Sequence, residues 1–84
     1  MPKFRVDVRV MPRAGLLDPQ GQAVEHALDA LGFGGVGTVR VGKALTVEVD
    51  AADAAAAERE ARTMCERLLA NPVTEDFVLQ VEAT

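Results

Sequence analysis

Between Val36 and Asp50 the chain reads VGTVRVGKALTVEVD, and its larger apolar residues fall on odd numbers: Val39, Val41, Leu45, Val47 and Val49. Thr38, Arg40, Thr46 and Glu48 hold the even positions between them. A period of two is the mark of strand with one buried and one wet face. Gly42-Lys43-Ala44 interrupts the β-branched run and predicts a tight turn. The pattern therefore predicts a hairpin pairing Val41 with Leu45 and Val39 with Val47, with both apolar sets on one face. Every other element must cover that face or extend it.

Upstream, Phe4, Val6, Val8 and Val10 alternate with Lys3, Arg5, Asp7 and Arg9, predicting a first strand that Pro12 and Gly15 end. Asp18 is a suitable N-cap, with Pro19 at the first helical position. Val24, Ala27, Leu28 and Leu31 follow at helical spacing, and Gly32 supplies a C-cap. Gly21 is out of character there, since glycine in a helix costs about 1 kcal/mol against alanine.

After the expected hairpin, Asp50 is a candidate cap for a second helix, with Asp53 in its first turn. Its apolar stripe is Ala54, Ala57, Ala61, Met64, Cys65 and Leu68. Asn71-Pro72 ends the helix. Phe77, Leu79 and Val81 alternate with Gln80 and Glu82 as a last strand. The order β-α-β-β-α-β predicts an α+β, ferredoxin-like fold, a four-stranded antiparallel sheet with both helices on one face. The other face would carry Lys3, Arg5, Asp7, Arg9, Arg40, Thr46, Glu48, Gln80 and Glu82.

Eighty-four residues make a single domain, 1–84, of a size that oligomerisation often supplements. The single cysteine excludes an internal disulfide and fits a reducing cytoplasm. The alternating N-terminus lacks the continuous apolar stretch of a signal peptide. A net charge of −4 argues against generic nucleic-acid binding. An RNA-recognition sheet is excluded too, because Phe4 and Phe77 fall on the core side by parity.

No set of residues assembles into a catalytic constellation. His26 falls on the polar side of the first helix, and Cys65 on the apolar stripe of the second, as expected of a surface histidine and a buried, inert thiol. One histidine, one cysteine and scattered carboxylates match no zinc or calcium spacing. Gly32-Phe33-Gly34-Gly35-Val36-Gly37 follows a helix and precedes a strand, the reverse of a dinucleotide fingerprint. The charged sheet face fits either a solvated surface or a protein contact.

Three stretches taken together resemble the PurS family. They are Leu17-Asp18-Pro19-Gln20-Gly21, Val39-Arg40-Val41-Gly42-Lys43, and Leu68 through Phe77, LLANPVTEDF. The resemblance spans essentially the whole chain. Departures are mild: Thr74 replaces a larger aliphatic residue, Phe77 a common tyrosine, and Arg13 a frequent lysine. The resemblance implies the small subunit of phosphoribosylformylglycinamidine (FGAM) synthase in purine biosynthesis. It implies no active site in this chain. A separate glutaminase subunit would release ammonia, and a large synthetase subunit would consume it with ATP and magnesium. The small subunit, a homodimer or higher homo-oligomer, would hold the two together for ammonia transfer. Two rival classes share the element order. An ACT-like domain would bind a small molecule at a dimer interface. An acylphosphatase-like hydrolase would need an anion-cradling loop after the first strand, where Arg13 and Gly15 offer little.

The expected topology brings three connections to one end: Met11 to Leu17, Gly42 to Ala44, and Ala70 to Asp76. Partner contacts are expected there from Arg13, Asp18, Gln20, Gly21, Lys43, Asn71 and Glu75. Asp18 and Asn71 also have a local reason to be present, as helix punctuation. Lys43 and Glu75 have none visible in the sequence.

Overall fold

The alternating N-terminal segment forms β1 (Lys3–Pro12), the centre of the sheet in a computed structural model describing residues 1–84. β2 (Lys43–Asp50) and β3 (Glu75–Ala83) flank it in the order β2-β1-β3, both antiparallel to it. The register sets Val6 opposite Val47 on one side and Val81 on the other, and Val8 opposite Leu45 and Leu79. Matching parity across three strands puts the large apolar side chains on one face, as the alternation requires, with Val78, opposite Arg9 and 62% exposed, the exception on the outer face.

Helix α2 (Ala54–Met64) lies on that face over β1 and β3. Its buried residues are Ala57 and Ala61, so the helix approaches the sheet closely, against Phe4, Val6, Val8 and Val10. Asp53, not Asp50, is the N-cap: its carboxylate accepts the Ala56 N–H at 2.8 Å. Asp50 instead completes β2, opposite Lys3.

Beyond Met64 the helix widens into a π-turn over Cys65–Leu69. One extra residue per turn rotates every later side chain about the helix axis. Cys65 and Ala70 are buried and Leu69 packs against the core, while Leu68 is 81% exposed. The expected stripe through Leu68 assumes an unbroken α-helix, and the π-turn moves it off the core.

The second departure is larger. The fold is α+β, but the sheet has three strands, not four, and the hairpin is absent. Residues 38–42 form no strand, and from Gly34 to Gly42 no backbone group bonds to another backbone group. Gly42 makes no reverse turn. Its chain passes hard against the β1 backbone, where a Cβ would strike the Val10 carbonyl and the Met11 sulfur. The chain reaches β2 from outside the sheet.

Helix α1 (Pro19–Ala30) does not cover the sheet, and Gly21 is its one buried residue. With residues 13–42 it forms an arm that carries the molecule out to 52 × 26 × 14 Å. The radius of gyration is 16.5 Å, against roughly 12 Å for a compact chain of this length. The helix itself is well made. Asp18 caps its start, and at its end Phe33 N–H bonds to Leu28 O and Gly32 N–H to Asp29 O, both at 3.0 Å. That is a Schellman motif, with Gly32 at φ +99 as its left-handed residue. Local signals thus formed the helix where expected, but its apolar side stays exposed.

Candidate partner interface

The end of the sheet where β1 stops and β2 and β3 begin is built by three short segments. Pairing of Val10 with Lys43 and of Pro12 with Glu75 brings their connections together. The shared end expected from the sequence is therefore present, although Gly42–Ala44 enters from the arm and turns no hairpin.

Arg13 stitches this end. Its backbone N–H donates to Thr74 O at 2.9 Å, its guanidinium to Pro72 O at 2.6 Å, and its Nε lies 3.3 Å from Asp76 Oδ1. With its donors turned to the chain's own groups, Arg13 offers no anion cradle after β1. The acylphosphatase-like reading lacks its central feature.

Asn71 and Glu75 organise the opposite loop. Asn71 Oδ1 accepts the Val73 N–H at 2.9 Å, and Glu75 Oε1 accepts the Asn71 N–H at 2.7 Å. Glu75 therefore has a local structural task, contrary to the expectation that none existed. The reason is distance in sequence: four residues across a turn bring a carboxylate to the first free N–H after the helix. Lys43 differs, being exposed with its ammonium in no ion pair or hydrogen bond.

Behind this loop lies an open cleft of about 470 Å³ lined by Arg13, Arg62, Cys65, Glu66, Asp76 and Phe77, among others. Arg62 sits 5.7 Å above the Phe77 ring and pairs with Glu58 at 3.2 Å. Burial pushes the Cys65 thiol up in pKa, with Glu66 adding to it against Arg62's opposing pull. A buried thiol held protonated in this way is a poor nucleophile. No group of three or more potential ligands could hold a metal ion.

The remaining predicted residues lie one step out, on the arm. Asp18 accepts the Gly21 N–H at 3.0 Å and the Val41 N–H at 2.8 Å, joining the start of α1 to the segment that leads into Lys43. Those two bonds, aided by nearby Arg40, hold its carboxyl below the usual range. Gly21 has a physical explanation too. A Cβ there would collide with the Val39 carbonyl, so the backbone that approaches is the chain's own. Gln20 is exposed beside them.

The sequence reading missed the apolar side of the arm. Leu17 and Leu31 are 73% and 74% exposed, and Val24, Phe33 and Val36 are also exposed. Across the sheet, Leu45 and Val47 of β2 are only half-buried, as are Phe77, Leu79 and Val81 of β3, and α2 lies over β1 and β3. Assigning α1 to the same sheet concealed both surfaces. The outer face is a mixed ionic surface: Arg5 pairs with Glu82 and with Asp7 at 3.5 Å, and Lys3 with Glu48 at 3.8 Å. No helix is long and apolar enough to cross a membrane.

Comparison with known proteins gives one consistent result. A family model described as PurS, phosphoribosylformylglycinamidine (FGAM) synthase, matches residues 5–83. The chain is 43% identical over 81 residues to the PurS subunit of that synthase from Bacillus subtilis, covering 94% of this chain and 93% of that one. The crystal structure of Methanocaldococcus jannaschii PurS, one of the subunits of formylglycinamide ribonucleotide amidotransferase, superposes with a TM-score of 0.85. It is 31% identical, with 96% and 98% of the two chains covered. A chain in the structure of PurLQS from Thermotoga maritima matches over the full length of both, at 32% identity and a TM-score of 0.85.

Proposed function

Because the chain belongs to the PurS family of phosphoribosylformylglycinamidine synthase, we propose that it is the small, non-catalytic subunit that holds a glutaminase beside an ATP-dependent synthetase. The match to a chain of the Thermotoga PurLQS assembly, over the whole of both, carries this reading. In it the reaction is divided among chains: glutamine is hydrolysed on one partner, and the ammonia is used with ATP and magnesium on another. This chain binds none of these and works in the cytoplasm. Its task is complementary surface, and nothing nucleophilic is needed for that.

The docking end of the reading is the shared loop end, with Arg13, Asn71 and Glu75 shaping it and Lys43 presenting an unpaired charge. Asp18, Gln20 and Gly21 continue it along the arm. The experiment is co-purification with the glutaminase and synthetase subunits, with glutamine and magnesium nucleotide present, for the wild type and Lys43→Glu. The Lys43 side chain holds nothing in the fold, so the variant keeps its melting temperature while losing assembly and glutamine-dependent turnover. Glu75→Lys lowers both, since it also removes the acceptor for the Asn71 N–H. A Lys43→Glu chain that assembles and supports turnover like the wild type moves the docking end elsewhere.

The same reading includes self-association into a closed two-fold dimer, the commonest symmetric form. The arm carries exposed apolar side chains, and the β2 half of the sheet lacks a helix above it. Each is what the other needs, and one chain does not bring them together. Burying a large apolar side chain contributes about 1.5–3 kcal/mol, so a few such residues on each arm suffice to drive association. Sedimentation over a concentration series tests it, a dimer being expected at micromolar concentration.

A further inference from the structure

We propose that the free edge of β3 is a docking site for an extended, cation-bearing segment of the synthetase subunit, which joins the sheet as a strand beside it. The inference rests on the bridging reading above and names the mode by which one partner is held.

The backbone supplies the first observation. Thr84 N–H donates to Lys3 O at 3.2 Å and Arg13 N–H to Thr74 O at 2.9 Å. Bonded pairs alternate along an antiparallel ladder, so the even-numbered residues of β3 face β1. Phe77, Leu79, Val81 and Ala83 turn their N–H and C=O groups the other way. Glu75, of the same parity, sends its N–H outward to Asn71 O at 2.8 Å. The outward groups of the four residues beyond it meet no other part of the chain, since β1 is the only neighbour of β3.

The second observation is that this edge is unguarded. Folded proteins blunt open edges with short strands, bulges, prolines or lysines. β3 is nine residues long, pairs with β1 in unbroken register, and contains no proline, lysine or arginine. Its core-side residues Phe77, Leu79 and Val81 are only half-buried, although α2 lies over this side of the sheet. An added strand takes up the free backbone groups and sets alternate apolar side chains against the exposed flank of those three.

Charge selects the occupant. The charged residues of β3 are Glu75, Asp76 and Glu82, and beside Phe77 both Glu66 and Glu75 stand in no ion pair. Two β3 strands paired antiparallel over their full length would set Asp76 opposite Glu82 twice, like charges at cross-strand positions. A second copy is therefore disfavoured at this edge. A segment alternating apolar residues with lysine or arginine meets no such conflict. Self-association occupies the β2 side of the sheet and leaves β3 alone. β3 also starts at the docking end, at Glu75, and runs about 30 Å away from it. The synthetase, the larger partner, is the chain whose surface continues from that end along the strand.

The experiment measures binding of the full chain to purified synthetase and, separately, to glutaminase, with glutamine and magnesium nucleotide present, together with amide exchange. In the free chain the amides of Phe77, Leu79 and Val81 exchange fast and those of Val78 and Gln80 slowly, because only the second set bonds to β1. In the synthetase complex the first set becomes protected as well. Val81→Pro keeps an apolar side chain and removes an outward N–H, a change that an edge strand tolerates. It is expected to weaken synthetase binding about tenfold, the loss of one backbone hydrogen bond whose acceptor is left unpaired, with little change in melting temperature. Val78 is exposed on the outer face and tests the charge without touching the backbone. Val78→Lys should bind about fivefold more weakly than Val78→Glu, the difference between a like and an opposite cross-strand charge. If Val81→Pro melts early, the Val78 pair and the exchange pattern decide. Edge amides that exchange in the complex as they do in the free chain overturn the inference, as do Val81→Pro and Val78→Lys chains that bind like the wild type. Protection by glutaminase alone, or self-association altered by Val81→Pro, overturns the synthetase as occupant. A wild type that binds neither subunit overturns the bridging reading and this inference together, a failure seen before any variant is made.

Discussion

The sheet with α2 and the arm with α1 are built from the same local materials and come to opposite ends. Both helices start at an aspartate cap and carry an apolar stripe. In α2 that stripe is alanine-lined and meets β1 and β3, with Ala57 and Ala61 fully buried at its centre. In α1 it is leucine- and valine-rich and stays in water. The difference teaches that an amphipathic helix specifies that it will be covered, and leaves open by which chain.

Substituting a charge on each apolar surface breaks the comparison most forcefully. Val6 is wholly buried at the centre of the sheet. Val6→Asp buries an unpaired carboxylate and should cost about 4 kcal/mol or more, enough to unfold a domain whose total stability is of order 5–15 kcal/mol. Leu31→Asp on the arm should change monomer stability by no more than about 0.5 kcal/mol while abolishing self-association. Urea denaturation and sedimentation of the two variants separate the regions. Equal losses of stability would mean that α1 packs on its own sheet in solution.

The joint between the regions comes next. At Gly42 a Cβ would strike the Val10 carbonyl, so Gly42→Ala must move the backbone where the arm leaves the sheet. The expected loss is about 1–3 kcal/mol, the usual cost of overpacking, read as a lower urea midpoint. Unchanged stability would show that the arm leaves by another path.

A pH series sharpens the contrast through its sign. Asp18 has a depressed pKa when folded, so its contribution is complete above the ordinary carboxylate range and is lost as pH falls through the folded value. Cys65 has a raised pKa when folded, so its contribution is complete below the ordinary thiol range and is lost as pH rises through the folded value. The arm should loosen in acid, with faster amide exchange at Val41. The body should weaken in alkali, and Cys65→Ala should remove part of that alkaline loss. Thiol labelling at neutral pH should track global unfolding.

The smallest effect belongs to the outer face. Arg5 pairs with Glu82 across β1 and β3 in the open. Arg5→Ala should cost about 1 kcal/mol or less and fade with added salt. A melting temperature that falls by many degrees would mean that this face is covered in solution.

Much of the candidate site was readable from residues alone. The caps at Asp18 and Gly32, the break at Pro72 and the parity of all three strands come from short-range rules, and the structure has them in place. Gly21 stood out because its helix propensity was wrong for its position, and the Val39 carbonyl explains it. Glu75 was misread because a carboxylate serving a loop N–H looks like any exposed acid. Leu68 was misread because nothing in a helical period announces a π-turn.

What the sequence determined by itself is which residues extend, which coil, and which side of each must be covered. Those properties rest on contacts a few residues apart, where side-chain size and backbone preference decide the outcome. Only the tertiary structure decided that residues 13–42 leave the sheet, that Val36–Val41 finds no strand to pair with inside the chain, and that β2 keeps an open edge. Alternation records a strand's faces and is silent about its neighbour, because backbone hydrogen bonds are the same whichever chain supplies them. A turn glycine and a crossing glycine also read alike in sequence. At Gly42 the Val10 carbonyl pressed against its bare Cα marks a crossing, and the chain runs out into the arm where the sequence had promised a hairpin.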